Sequence, residues 1–156
     1  MDLLGDDIKR KDIFPAGRLD KDTIGMVLIT NDGTLSHRIL SPKKHIPKYY
    51  IVKLAESFQE DYVRQFAEGV IIDGGEKCLP AKVKRFPDCE KTAFIELHEG
   101  KYHQIKRMFS AVENSVEKLC RIQMGGLLMP EKLAIGEYME TVSYTHLRAH
   151  ETVLDL

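Results

Sequence analysis

No apolar run in these 156 residues approaches the roughly 20 needed to span a bilayer. Cysteine is scarce. Cys78, Cys89 and Cys120 are odd in number and have no Cys-x-x-Cys spacing, which argues for reduced structural thiols in a cytoplasmic protein. The residues after Met1, Asp-Leu-Leu-Gly-Asp-Asp7, are acidic and mixed, without the apolar core of a secretory signal. Charge of one sign is also lacking: the net charge is −1, so the overall balance does not point to a nucleic acid. No phosphate-binding loop, dinucleotide fingerprint, Ser-His-Asp order or EF-hand loop occurs, and no internal repeat or low-complexity stretch is visible. What is present, 43% apolar and 30% charged residues, describes one soluble globular domain with its own core and argues against disorder.

The distribution of charge says more than its sum. From Gly33 to Ala55 there is no Asp or Glu, while Arg38, Lys43, Lys44, Lys48 and Lys53 are cationic, with His37 and His45 among them. Gly100–Ala111 is a second acid-free stretch, carrying Lys101, His103, Lys106 and Arg107. Acids gather instead at Glu56, Glu60, Asp61, Glu68, Asp73 and Glu76. Such runs describe solvated faces in many proteins. Two basic stretches beside an acidic one also suit a sided molecule that meets phosphates.

Periodicity predicts a mixed α+β fold. Gly25–Thr30 reads as a buried strand ending in the turn Asn31-Asp-Gly33, and Leu35–Leu40 as a short helix stopped by Ser41-Pro42. Strands are expected at Tyr49–Leu54, Ala81–Phe86, Thr92–Leu97 and Glu117–Gln123. Helices are expected over Glu60–Gly69, with Val63, Phe66, Ala67 and Val70 inward, and over Tyr102–Ala111, with Ile105, Phe109 and Val112 inward. Without regular βαβ alternation, the sheet should be largely antiparallel.

Several residues carry possible chemistry. Asp20 lies in Gly17-Arg-Leu-Asp20, beside Arg18 and ahead of an apolar strand. A carboxylate there is either a turn cap or, in a partly desolvated pocket beside a cation, a nucleophile or base. Lys106 and His103 share a helical face, with Gln104 and Arg107 on the next stripe. That face is either solvated or turned to a pocket, with Lys106 paired to Asp20. Tyr49 and Tyr50 alternate, so only one enters a pocket, where its ring could stack on an extruded base. Arg121 reaches an RNA phosphate or pairs with an acid across the sheet. His146, His150 and Glu151 look like half a metal site without companion ligands, and no metal is expected.

Seven segments together resemble the RsuA-type pseudouridine synthases, enzymes that isomerise uridine in ribosomal RNA. They are Phe14–Thr23, Leu28–Gly33, Ser36–Pro42, Lys48–Tyr50, Leu79–Ala81, Glu99–Phe109 and Leu133–Tyr138. The resemblance implies the catalytic-domain fold of that family and a cofactor-free reaction. Asp20 would be the essential aspartate, attacking C1′ of the ribose or taking the C2′ proton. Tyr50 would sit against the base and serve in deprotonation at C5, and Lys106 would be the basic partner of Asp20. Arg18, His103 and Arg107 would support RNA, joined by His37, Arg38, Lys43, Lys44, Lys48, Gln104 and Arg121. The partner would be ribosomal RNA, and Leu79-Pro-Ala-Lys82 leans towards members acting on the small subunit. The protein would be a cytoplasmic monomer with no membrane association. A non-catalytic RNA-binding or ribosome-assembly module, or a synthase fragment inactivated by truncation, are the alternatives. Family members carry an S4-type domain and a first sheet strand ahead of the segment matching Met1–Gly5, so the expected domain spans residues 1–142 and is partial. Ser143–Leu156 departs from the family pattern and is expected to be a foreign or disordered tail.

Overall fold

β-Branched and aromatic residues make Lys48–Leu54 the central strand of the molecule, paired along both edges. A computed structural model describes residues 12–41 and 46–139. Its elements in chain order are β1 (Phe14–Pro15), β2 (Thr23–Gly25), β3 (Ile29–Thr30), α1 (Gly33–Leu40), β4 (Lys48–Leu54), α2 (Asp61–Glu68), β5 (Ile71–Ile72), β6 (Glu76–Lys77), β7 (Lys82–Phe86), β8 (Cys89–Leu97), α3 (Gln104–Ala111), β9 (Val116–Met124) and β10 (Leu127–Leu128). The main sheet runs β10-β9-β4-β8-β7, antiparallel throughout, and β2 adds in parallel to β9. The α+β, largely antiparallel expectation therefore holds. The proposed tail, the candidate metal half-site within it, and Lys43 and Lys44 lie outside the described residues.

Two apolar clusters cover the sheet. On one side Val52, Leu54, Ile95 and Leu119 pack with Phe66, Met108 and Phe109 from α2 and α3. A smaller cluster joins Ala16, Met26, Ile39 of α1 and Met124 of β9. The first has an aromatic centre: Phe66 and Phe109 lie 5.0 Å apart, and Tyr62 meets Phe58 and Phe109 edge-on at 5.2 and 6.0 Å. Phe66→Ala should cost about 3–5 kcal/mol in a urea titration, because a fully buried ring leaves a cavity.

The inward face of α2 differs from its periodicity reading. Tyr62 and Phe66 are buried, whereas Val63 is 43% exposed and Ala67 is exposed. The two rings bury more area than a valine and an alanine can, and Tyr62 also accepts a hydrogen bond from Asn114 at 3.2 Å. The Gly25–Thr30 run is likewise not one strand. Gly25 has φ +115°, and a Cβ there would lie 2.1 Å from the Arg121 carbonyl oxygen. The chain turns off the main sheet at this close approach, and β3 pairs with β1 instead. The helix begins at Gly33, inside the expected turn, because the Asp32 carboxylate accepts the Leu35 N–H at 3.0 Å and caps it. Among the described residues no helix is long and apolar enough to cross a membrane.

Candidate active site

A cleft of about 350 Å³ opens at one end of β4, within the roughly 300–1,000 Å³ range of small-ligand sites. Its walls come from segments far apart in sequence: the loop 17–23, the start of β4, the stretch 97–106 and the middle of β9. Asp20 closes a turn, its carbonyl accepting the Thr23 N–H at 2.9 Å, and β2 then anchors that turn to β9. Its side chain is 39% exposed, so the carboxylate is reachable from the cleft. Arg18, Lys48, Tyr50, His103 and Lys106 line the same space.

The local pairings differ from the expected ones. The Asp20 carboxylate is 3.8 Å from His103 Nε2, an ion pair when the imidazole is protonated, whereas Lys106 Nζ is 3.9 Å from the more exposed Asp22. The backbone explains the exchange. His103 adopts the left-handed region at φ +47° as the residue before α3, which turns its ring towards Asp20 ahead of the helical stripe that carries Lys106. The left-handed kink is unusual for a residue with a Cβ, and such strain is concentrated at functional sites.

Arg107, grouped on sequence with the RNA-facing residues, is engaged by protein. It pairs with Asp73, reaches Glu76 at 3.5 Å and donates to the Tyr102 carbonyl at 2.7 Å. Lys101 pairs with Glu76 at 2.8 Å. The second basic segment thus spends two of its cations on the acidic stretch and pins the Lys101–His103 turn to the β5–β6 hairpin. Gln104, also grouped with RNA, is 4% exposed. Its amide accepts the Lys101 N–H at 2.9 Å and donates to Glu99 at 2.8 Å. It braces the turn from within. His37 and Arg38 are exposed in the last turn of α1, whose neighbours Leu40 and Ser41 border the cleft.

The adjacent tyrosines divide as alternation requires. Tyr49 is 1% exposed and belongs to the core, while Tyr50 lines the cleft. Burial pushes the Tyr50 phenol above its ordinary value; Arg121 opposes this by charge and hydrogen bond, and Asp20 adds to it. Burial, and then Arg121, push the Lys48 ammonium down. Arg121 itself is only 4% exposed, its Nε donating to the Met26 carbonyl at 3.0 Å. Among the described residues no acid across the sheet pairs with it; a backbone carbonyl holds it instead.

One residue escaped sequence reasoning. Tyr102 is 75% exposed and stacks on His103 at 3.8 Å, forming an aromatic lip beside Asp20. Its signal was an aromatic set between two cationic residues, Lys101 and His103, just ahead of an amphipathic helix.

Comparison with known proteins bears on this arrangement. A family model described as RNA pseudouridylate synthase matches residues 3–111. A Bacillus subtilis protein named uncharacterized RNA pseudouridine synthase YtzG is 46% identical over 142 residues, covering 90% of this chain and 59% of that protein. A Vibrio vulnificus protein named ribosomal small subunit pseudouridine synthase A is 46% identical over 137 residues, covering 87% of this chain and 59% of that protein. A solved structure titled as a pseudouridylate synthase superposes with TM-score 0.80 at 43% identity, covering 84% of this chain and 56% of that one. A chain of an H/ACA ribonucleoprotein bound to a substrate RNA, 16% identical with TM-score 0.54, shares the fold. The chain thus spans somewhat over half the length of the curated relatives it matches.

Proposed function

The chain belongs to the RsuA-type RNA pseudouridylate synthase family, and from that premise we propose that it isomerises a uridine to pseudouridine in ribosomal RNA of the small subunit. The observation that carries this reading is the meeting of Asp20, Tyr50 and Lys106 in one cleft, from segments separated by 30 and 56 positions. Asp20 acts on the ribose, by attack at C1′ or by removing the C2′ proton. The uracil leaves through N1, turns and rejoins through C5, and Tyr50 beside it removes the C5 proton. Lys106 lies in the same cleft as the Asp20 carboxylate, and the His103 imidazole stands 3.8 Å from it. A base within a stem is first extruded, at a cost of a few kcal/mol. Contacts of exposed cations such as Arg18 and Arg38 with phosphate offset that cost.

The relatives named as small-subunit synthases support the choice of RNA. The test is incubation of the chain with small-subunit and large-subunit ribosomal RNA, followed by carbodiimide treatment and reverse transcription. New stops in the small-subunit RNA alone are expected. Stops in the large-subunit RNA alone overturn the substrate assignment, and RNA binding without any stop overturns the enzymatic one.

The aromatic lip makes a separate prediction. Tyr102→Ala should weaken RNA binding by about 1–3 kcal/mol, the scale of one stacked base, while leaving the unfolding midpoint in place because the ring is exposed. Affinity for wild type and variant alike should fall as salt rises, since phosphate contacts release counterions. Filter binding across a salt series checks both; affinity independent of salt would remove the basic rim from the account.

A further inference from the structure

An irregularity in the sheet lies directly beneath the cleft. Tyr49 of β4 faces Gln123 of β9, yet the next residue, Tyr50, faces Arg121, so Ile122 is an extra residue in β9 at this point. Side chains alternate along a strand, and without that bulge Arg121 would share the face of Gln123 and Tyr49. With it, Arg121 turns to the face of Tyr50 and the cleft. On its other side β9 pairs Arg121 with Gly25, and the absent Cβ of Gly25 lets the two backbones close up. The guanidinium is fixed by backbone: Nε donates to the Met26 carbonyl at 3.0 Å, and the register sets Arg121 directly opposite Tyr50, both lining the cleft. Nη2 is buried without a protein partner, and among the described residues no carboxylate stands within ion-pair distance of Arg121. A buried cation held this way is costly to the fold, so its presence calls for a purpose other than stability.

We propose that Arg121 is a positioning residue for Tyr50, its buried guanidinium holding the phenol at the floor of the cleft and keeping positive charge against the phenolic oxygen. This rests on the reading above, in which Tyr50 takes the proton from C5. A phenol removes that proton as phenolate, and a fixed cation beside the oxygen favours that form. Other charged groups face the same space and do not replace it. Asp20 from the loop opposes the phenolate, Lys48 lies on Tyr50's own strand, and His103 and Lys106 face Asp20 and Asp22. Arg18 lines the cleft from the Asp20 loop, and on the far wall stand His98, Glu99 and Lys101, with Glu99 and Lys101 braced against each other at 3.7 Å.

The test reads Tyr50 directly. Protein labelled with carbon-13 at the tyrosine ζ position is titrated by NMR, with the Tyr50 signal assigned by its loss in Tyr50→Phe. The Tyr50 phenol should titrate at higher pH in Arg121→Gln than in the wild type, while Tyr62, in the distant core, does not move. Arg121→Lys, which keeps the charge with a shorter reach to the phenol, should give a smaller rise and stands in if the glutamine variant fails to fold. In turnover, Arg121→Gln should lower kcat at least about tenfold at neutral pH with KM for RNA little changed, and Arg121→Lys should recover part of it. An unmoved Tyr50 titration in either variant overturns the proposal. That arm needs no turnover, so it is decided even if the enzymatic reading itself fails.

Discussion

Asp20→Ala should reduce the single-turnover rate of uridine isomerisation by about 10⁴-fold or more, the scale set by removing a group that takes part in the chemical step. The same substitution should leave the fold intact. The Asp20 carboxylate stands partly exposed at the cleft wall, with His103 at 3.8 Å as its ion-pair neighbour, and surface substitutions of this kind fall within roughly ±0.5 kcal/mol. The turn that carries it is held by backbone, through the Thr23 N–H and the pairing of β2 with β9, and alanine preserves both. Asp20→Asn should fail equally, since an amide neither attacks a ribose carbon nor accepts its proton at useful rate. RNA affinity should hardly change in either variant, because the cations of the rim remain. A variant that loses binding and rate together would assign Asp20 to substrate anchoring instead.

Gly25→Ala should strongly destabilise this chain. The new Cβ would lie 2.1 Å from the Arg121 carbonyl oxygen and 2.5 Å from its nitrogen, both backbone atoms of a central strand. The residue also holds φ +115°, where a side chain adds strain of its own. Overpacking and strain together come to about 3–5 kcal/mol, a large share of the roughly 5–15 kcal/mol that holds an ordinary domain folded. The damage should reach the site before it reaches global unfolding, because β2 fixes the Asp20 turn against β9. Chemical denaturation reads the first effect, and loss of hydrogen-exchange protection across 23–26 reads the second. An unchanged unfolding midpoint would show that β2 and β9 separate without consequence.

How much of this could be read in advance depends on the range of the interaction. The change of element at Asn31-Asp-Gly33 is local and was legible as a turn, and one carboxylate three residues from the N–H it accepts starts α1 there. The division of Tyr49 from Tyr50 follows from strand alternation, although which ring enters the cleft came from the family resemblance. The break at Gly25 was not legible, because it is enforced by Arg121, 96 positions away, and an apolar run carries no mark of where another strand will approach. Nor was the facing of Arg121, since a one-residue bulge reverses the face that period-two counting would give it. Helical spacing placed Lys106 and His103 on one face, but His103 precedes the helix in a left-handed turn, and the two side chains reach different aspartates. The basic stretch Gly100–Ala111 read as a surface for phosphate, yet Lys101 and Arg107 are bound by Glu76 and Asp73, acids from a segment that looked separate in sequence. Local rules thus described the elements, while the pairings at the site came from contacts between segments.

The most direct measurement is tritium release from small-subunit ribosomal RNA labelled at uridine C5, with this chain and its Asp20→Ala variant side by side. The account predicts release from the chain, reaching one equivalent per modified uridine, and none above background from the variant. Equal release from both would contradict the assignment of the reacting carboxylate to Asp20, and RNA binding by the chain with no release would contradict the assignment of this cleft to uridine isomerisation.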